Sequence, residues 1–301
     1  MTAIRVRDLH KSYGELRAVR GVSLDIAEGE VYALLGHNGA GKSTIVEILE
    51  GYRARDSGQV DVLGVDPARG GRDFRDRIGI VLQTSGVERE LTVREAIDLY
   101  SSAYRRRRPT GEVIALAGLE DKASARIDTL SGGQQRRLDL ALGIVGHPEV
   151  LCLDEPTTGF DAAARRKSWE LIADLCRLGT TVLLTTHYLE EAEHLADRVG
   201  VLANGALVAE GSPAELTARQ GDTVVSFTVV GADPGEMSAV LPATTVLKGQ
   251  RVEFTSIDPT IDVHAVSAWA IERGLRLDAL SVSRPTLEDV FLGLADGEEW
   301  G

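Results

Sequence analysis

Apolar and polar residues alternate over the first thirty positions, predicting strands at 4–9 and 19–26 and a Glu28-Gly29 turn. Residues 31–35 (VYALL) are apolar without a break, the pattern of a strand buried on both faces. They run through a glycine-rich stretch into an apolar-periodic helix at 43–49. A further strand at 78–82 ends at Gln83, and from 92 to about 119 the period becomes helical. Another helix opens at 130–134 (LSGGQ), 150–153 reads as a buried strand, and Asp161 caps a helix that stops at Gly179. Residues 182–185 form the next strand, followed by His187 and an acidic helix start. Asn204-Gly205 lies between apolar runs over 199–208, which predicts a hairpin.

Helices that alternate with buried strands predict an α/β layer with a largely parallel sheet. GSPAELTARQGD (211–222) predicts a short capped helix and then a boundary. The expected division is 1–220 and 221–301, the second part reading strand, strand, helix, strand, helix as a small α+β domain.

Charge narrows the partners. Lys and Arg total 33 against 46 Asp and Glu, a net −13 over 301 residues, which argues against a generic nucleic-acid binder. An anionic ligand must then be held by a local site. The basic run RRRRP (105–109) reads as a solvated helix end. Cys152 and Cys176 lie in apolar surroundings without metal-ligand spacing and read as buried thiols in a reducing compartment. MTAIRVRDLHKSYG carries no signal-peptide core, and no apolar run approaches the roughly 20 residues of a membrane span. The expectation is a cytoplasmic protein.

Gly36-His37-Asn38-Gly39-Ala40-Gly41-Lys42-Ser43 fits G-x-x-x-x-G-K-[ST] between a predicted strand and a predicted helix. Glycines let the backbone curl so that successive N–H groups face a phosphate, and the helix adds its positive end. Lys42 can reach β/γ oxygens, Ser43 can ligate Mg²⁺, and Thr44 can contact the α-phosphate. VLCLDE (150–155) delivers Asp154 to a sheet edge to hold the metal or its waters. Glu155, pointing differently, can orient or deprotonate a water. Alone, His187 reads as a polar residue entering a helix and Gln83 as a turn residue. Both leave strand ends where a parallel sheet gathers its ligands, which suits a γ-phosphate sensor and a metal or water contact.

TLSGGQQRR (129–137) is an unusual helix start, with two glycines in the first turn. Ser131 and Gln134 have capping-box spacing, and a glycine-rich helix N-terminus is also an anion site. No lysine follows to hold the phosphate.

With a lysine loop, LSGGQ and an acidic strand in that order, the sequence resembles the ATP-binding subunit of ABC transporters over roughly residues 3–215. The resemblance implies a P-loop NTPase with a RecA-like core, an antiparallel β subdomain and a helical subdomain at about 84–145. It implies ATP and Mg²⁺ as ligands and ATP hydrolysis coupled to transport. By it, Tyr13 stacks on adenine, Gln83 couples nucleotide to the membrane subunit, and His187 is the switch histidine. Thr158-Gly-Phe-Asp161 corresponds to a loop that crosses the dimer interface, with Phe160 where leucine is usual; Asp161 also reads as an N-cap.

The family's head-to-tail dimer implies that Ser131, Gly132, Gly133 and Gln134 face the γ-phosphate of ATP held by the partner's Lys42. A homodimer is then expected, with no nucleic acid. A separate membrane permease is expected to dock near Gln83–Leu91, at the cytoplasmic face of the cell membrane. SVSRPTLEDVFLGL (281–294) and RRLDLALGIVGHP (136–148) resemble exporters of the daunorubicin-resistance type. The implied cargo is a drug, antibiotic or other amphipathic substrate. Lipid or polysaccharide export, or a non-transport ATPase acting on ribosomes or DNA, are the alternatives.

Overall fold

The N-terminal alternation produces β1 (Thr2–Tyr13) and β2 (Leu16–Ala27), an antiparallel pair whose inward residues Ile4, Val6, Val22 and Ile26 are buried. The computed structural model describes residues 1–82, 86–219, 223–283 and 286–288. The apolar run becomes β3 (Val31–Leu35), buried at every position as a central parallel strand must be. It leads into α1 (Lys42–Leu49). The chain then returns through β4 (Ser57–Val62) to pair with β1. The pattern did not predict β4, because only Val60 and Val62 of SGQVDV turn inward.

After the short α2 (Arg72–Arg75) and β5 (Ile78–Val81) come α3 (Val93–Ser101), α4 (Thr110–Leu116) and α5 (Gly132–Ile144). The remainder of the first unit is β6 (Val150–Asp154), α6 (Ala162–Arg177), β7 (Thr181–Thr186), α7 (Leu189–Leu195), β8 (Arg198–Ala203) and β9 (Ala206–Gly211). The larger sheet has the order β5-β6-β7-β3-β8-β9. It is parallel except at β9, which turns back at Asn204-Gly205, both with positive φ. One core cluster joins the small sheet, α1 and the large sheet through Ile4, Ile26, Leu34, Ile45 and Cys152. Because β6, β7 and β3 are neighbours, the loops leaving their carboxyl ends share one edge.

Helix α5 lies on β5 in backbone contact: a Cβ on Gly79 would sit 2.1 Å from the Gly143 carbonyl oxygen. Only glycine permits that approach, and it sets how closely the C-terminal end of α5 lies on the sheet.

Three expectations need correction here. The helical stretch 92–119 is broken, since α3 ends at Ser101 and the chain is non-helical up to Pro109. RRRRP lies in that connection and not at a helix end; Arg105, Arg106 and Arg107 are exposed as expected, and Arg108 is not. Arg105 pairs with Asp73 at 2.6 Å, while Arg108 is buried and donates to Glu112 at 2.7 Å. The Arg108 amide is drawn inward by the Val145 carbonyl at 2.9 Å. Of the thiols, Cys152 is buried, but Cys176 is only half-buried and donates to the Gly29 carbonyl at 3.2 Å.

Contacts divide the chain into two units, Met1–Pro213 and Ala214–Gly301, at the start of α8 (Pro213–Arg219). The second unit holds β10 (Thr223–Val230), β11 (Val246–Lys248), β12 (Arg251–Ser256), α9 (Pro259–Glu272) and β13 (Arg276–Ser283). Its antiparallel sheet, ordered β11-β12-β10-β13, packs Phe227, Phe254, Val266 and Trp269 into a core. The three-residue β11 was not expected from its sequence, VLK, because all three residues are exposed. The expected terminal helix falls largely outside the described residues. Among the described residues no helix is long and apolar enough to cross a membrane.

Candidate nucleotide site

The loop 36–41 leaves β3 and is wedged against its neighbours. A Cβ at Gly41 (φ +106) would meet the Ala18 carbonyl oxygen at 2.3 Å, and one at Gly36 the Leu202 carbonyl oxygen at 2.6 Å. The curl is therefore imposed by glycine at both ends. Helix α1 begins after Gly41 with no side-chain cap. Its first amide donors are left for an anion.

Lys42 is buried, and its Nζ donates to the carbonyls of Gly36 (2.7 Å) and His37 (3.2 Å), 3.8 Å from Glu155 Oε1. Burial holds its ammonium pKa below the ordinary lysine value, against the opposing pull of Glu155 and Asp154. Ser43 Oγ donates to Asp154 Oδ1 at 3.3 Å, and Thr185 Oγ1 donates to the same oxygen at 2.5 Å. Glu155 Oε1 is 3.1 Å from His187 Nδ1, and Glu155 Oε2 accepts from Thr158 Oγ1 at 3.2 Å.

A cleft of about 400 Å³ opens over Lys42, Ser43 and Glu155, lined also by Asn38, Gly39, Gly41, Thr44 and Tyr13, with Asp154 and His187 bonded to Ser43 and Glu155 beside it. Tyr13 is 39 % exposed, with the Arg53 guanidinium 5.1 Å and Lys11 Nζ 5.6 Å from its ring centroid. Ala40 is buried behind the loop, while His37 is exposed and bonds through Nδ1 to the Asn38 carbonyl at 2.8 Å.

The donor set suits a hard divalent cation that keeps other oxygens around it. A hydroxyl and a carboxylate converge at Ser43 and Asp154. Among the described residues no group of three or more His, Cys, Asp and Glu could hold a metal alone. Phosphate oxygens and water would have to complete such a shell.

Other residues singled out from the sequence lie apart. Ser131 caps α5 by accepting from the Gln134 amide at 3.3 Å, and Gln134 Oε1 accepts from the Ser131 amide at 2.9 Å. The capping box is thus formed. Ser131 and Gly132 are exposed, and neither they nor Gly133 and Gln134 line the cleft. Asp161 caps α6, accepting from the Ala164 amide at 2.8 Å. Gln83 lies outside the described residues. Sequence reasoning missed Thr185, whose hydroxyl holds Asp154 and also accepts from the Glu155 amide at 3.1 Å. Its signal was a pair of threonines, Thr185 and Thr186, closing a strand after the apolar run 182–184.

Glu50, at the end of α1, is 9 % exposed and its carboxyl is pushed up to about 8 by burial, with Asp154 and Glu47 adding to it. The folded state therefore keeps a proton that the unfolded chain releases near its ordinary value of 4.5. Stability falls as pH rises from there through about 8. Glu50→Gln removes this loss, so wild type weakens against the variant by up to a few kcal/mol across the window. Urea unfolding at the two ends of that range checks it; parallel pH dependences contradict it.

A family model described as "ABC transporter" matches residues 19–158. The chain is 38% identical to daunorubicin resistance ATP-binding protein DrrA3 of Streptomyces coeruleorubidus, over 97% of this chain and 96% of that protein. It is 40% identical to Nod factor export ATP-binding protein I of Paraburkholderia xenovorans (strain LB400), over 98% of each. A dimeric bacterial ABC transporter cassette superposes with a TM-score of 0.63 at 28% identity, covering 69% of this chain and 98% of that one. A dimeric post-hydrolysis state of an ATP-binding cassette with ADP and Pi gives the same score, identity and coverage. With its glycine-walled loop, buried lysine and paired acids at one sheet edge, this chain belongs to the ABC transporter family, as an ATP-binding subunit and an ATPase of P-loop NTPase fold.

Proposed function

We propose that ATP lies in the cleft with its base on Tyr13 and its phosphates in the loop Gly36–Thr44. The carrying observation is the convergence of Lys42 Nζ, the Ser43–Asp154 pair, Glu155 and His187 at the carboxyl ends of β3, β6 and β7. Lys42 moves from the loop carbonyls to the β/γ oxygens. Ser43 and Asp154, with Gln83, would hold Mg²⁺, which neutralises phosphate charge when bound. Glu155 takes a proton from the water that attacks the γ-phosphorus, and ADP leaves with the bridging oxygen. His187 holds the Glu155 carboxylate and contacts the γ-phosphate.

Ser131, Gly132, Gly133 and Gln134 serve a second copy of the chain. Their helix N-terminus is exposed and away from the cleft, so in a head-to-tail homodimer it closes on the partner's ATP. Asp161 lies at that interface while still capping α6. Closure and reopening drive a separate permease docked near Gln83–Leu91, at the cytoplasmic membrane face. With relatives named for daunorubicin resistance and Nod factor export, the cargo we propose is a drug, antibiotic or other amphipathic molecule.

Lys42→Ala tests the site. Losing a buried, hydrogen-bonded charge costs about 2–5 kcal/mol, so ATP affinity falls by roughly 30-fold or more. Equilibrium binding of a fluorescent ATP analogue measures it. Wild-type affinity in the variant would place ATP elsewhere.

A further inference from the structure

Arg136 belongs to TLSGGQQRR yet has no part in the cleft. It lies one turn into α5 and is 7% exposed. Its Nε donates to the Pro156 carbonyl at 3.0 Å, and its Nη2 to the carbonyls of Asp154 (3.0 Å) and Glu155 (3.2 Å). Its Nη1 donates to the Leu82 carbonyl and lies 3.7 Å from Asp139 Oδ2.

Carbonyls of three successive residues converge on one guanidinium only where the chain turns sharply. Glu155 supplies the turn with φ 47, a left-handed conformation that non-glycine residues disfavour. Such a conformation persists where the surroundings over-determine it. Here the Glu155 amide is held from β7, by the carbonyl and hydroxyl of Thr185, both at 3.1 Å. Arg136 on α5 holds the carbonyl side.

We propose that Arg136 is a positioning residue that transmits the placement of the α5 N-terminus to the carboxylate of Glu155. The helix that closes on a partner's ATP is tied by this one side chain to the backbone of the base. The same guanidinium also holds the carbonyl of Leu82, which follows β5. The planar fork is what allows it, since lysine offers a point charge and cannot span these carbonyls. The inference rests on Glu155 acting as the base.

The test compares Arg136→Ala and Arg136→Lys in the full chain, each with and without Glu155→Gln. Misplacing the base predicts a 10- to 100-fold lower kcat for Arg136→Ala. Affinity for a non-hydrolysable ATP analogue stays within about twofold, because binding groups are untouched. Arg136→Lys recovers part of the loss. Amide exchange quickens over 154–158 and is unchanged over 36–44. In the Glu155→Gln background Arg136→Ala lowers the residual rate no further.

A fall in affinity that matches the fall in kcat overturns the proposal, as does an equal loss in the Glu155→Gln background or an unchanged kcat. If Arg136→Ala does not fold, Arg136→Lys carries the same comparisons. Normal turnover by Glu155→Gln alone would instead remove Glu155 as base, a separate failure.

Discussion

Glu155→Gln binds ATP and stops there: kcat drops on the order of 10²- to 10⁴-fold while the nucleotide stays bound and the dimer stays closed. The amide keeps the shape of the carboxylate: its one oxygen accepts from Thr158 Oγ1, and its NH2 takes the place of the oxygen that faces His187 Nδ1. It cannot take a proton from water. The change also removes a negative charge 3.8 Å from Lys42 Nζ. A polyanionic ligand gains from that removal, so affinity holds or rises. Phosphate release gives the rate, and sedimentation with ATP gives the dimer. Near-normal turnover would take Glu155 out of the base role.

Gly133→Asp spares ATP binding to the single chain and abolishes closure, with hydrolysis reduced on the order of 10²-fold or more, the scale of losing one oxyanion-type contact. Misfolding does not explain such a loss. Aspartate in the first turn of a helix is stabilising by about 0.3–1 kcal/mol and is a better helix former than glycine. The added Cβ meets Ala164 Cβ at 3.2 Å, a tight but local contact. What disappears is an anion site, because a carboxylate now stands where the partner's γ-phosphate must come. Gly133→Ala, with the same crowding and no charge, separates the effects by keeping most activity. ATPase assays with equilibrium binding check the pair; equal losses in both variants would point to packing.

The lysine loop could be read from the sequence because its glycines answer steric demands that leave a fixed spacing. Ala18 and Leu202 carbonyls crowd Gly41 and Gly36 so closely that the loop admits nothing else. The caps at Ser131 and Asp161 were legible for a related reason, as they bond within three residues of themselves. Long-range features left no local trace. β4 is defined by its pairing with β1, and Arg108 is inward because Val145 draws its backbone. Thr185 and Arg136 act across 30 and 18–20 residues onto the strand carrying the acids and the turn after it. No spacing rule connects those partners. Ser131 was legible as a cap, but its place outside the cleft required the fold.

In the proposed head-to-tail dimer each ATP site is completed by two copies of the chain, Lys42 from one and the α5 N-terminus from the other. Mixing Lys42→Ala protein with Gly133→Asp protein tests it most directly. At an ATP concentration near the wild-type Kd, each alone is expected to hydrolyse little or no ATP. In a mixed dimer one site has both defects, while the other pairs an intact lysine loop with an intact Gly133. ATP hydrolysis by the mixture, with mixed dimers verified by differential tags, is the measurement. Shared sites regain activity on mixing; mixed dimers as inactive as the separate variants would show that each chain completes its own site.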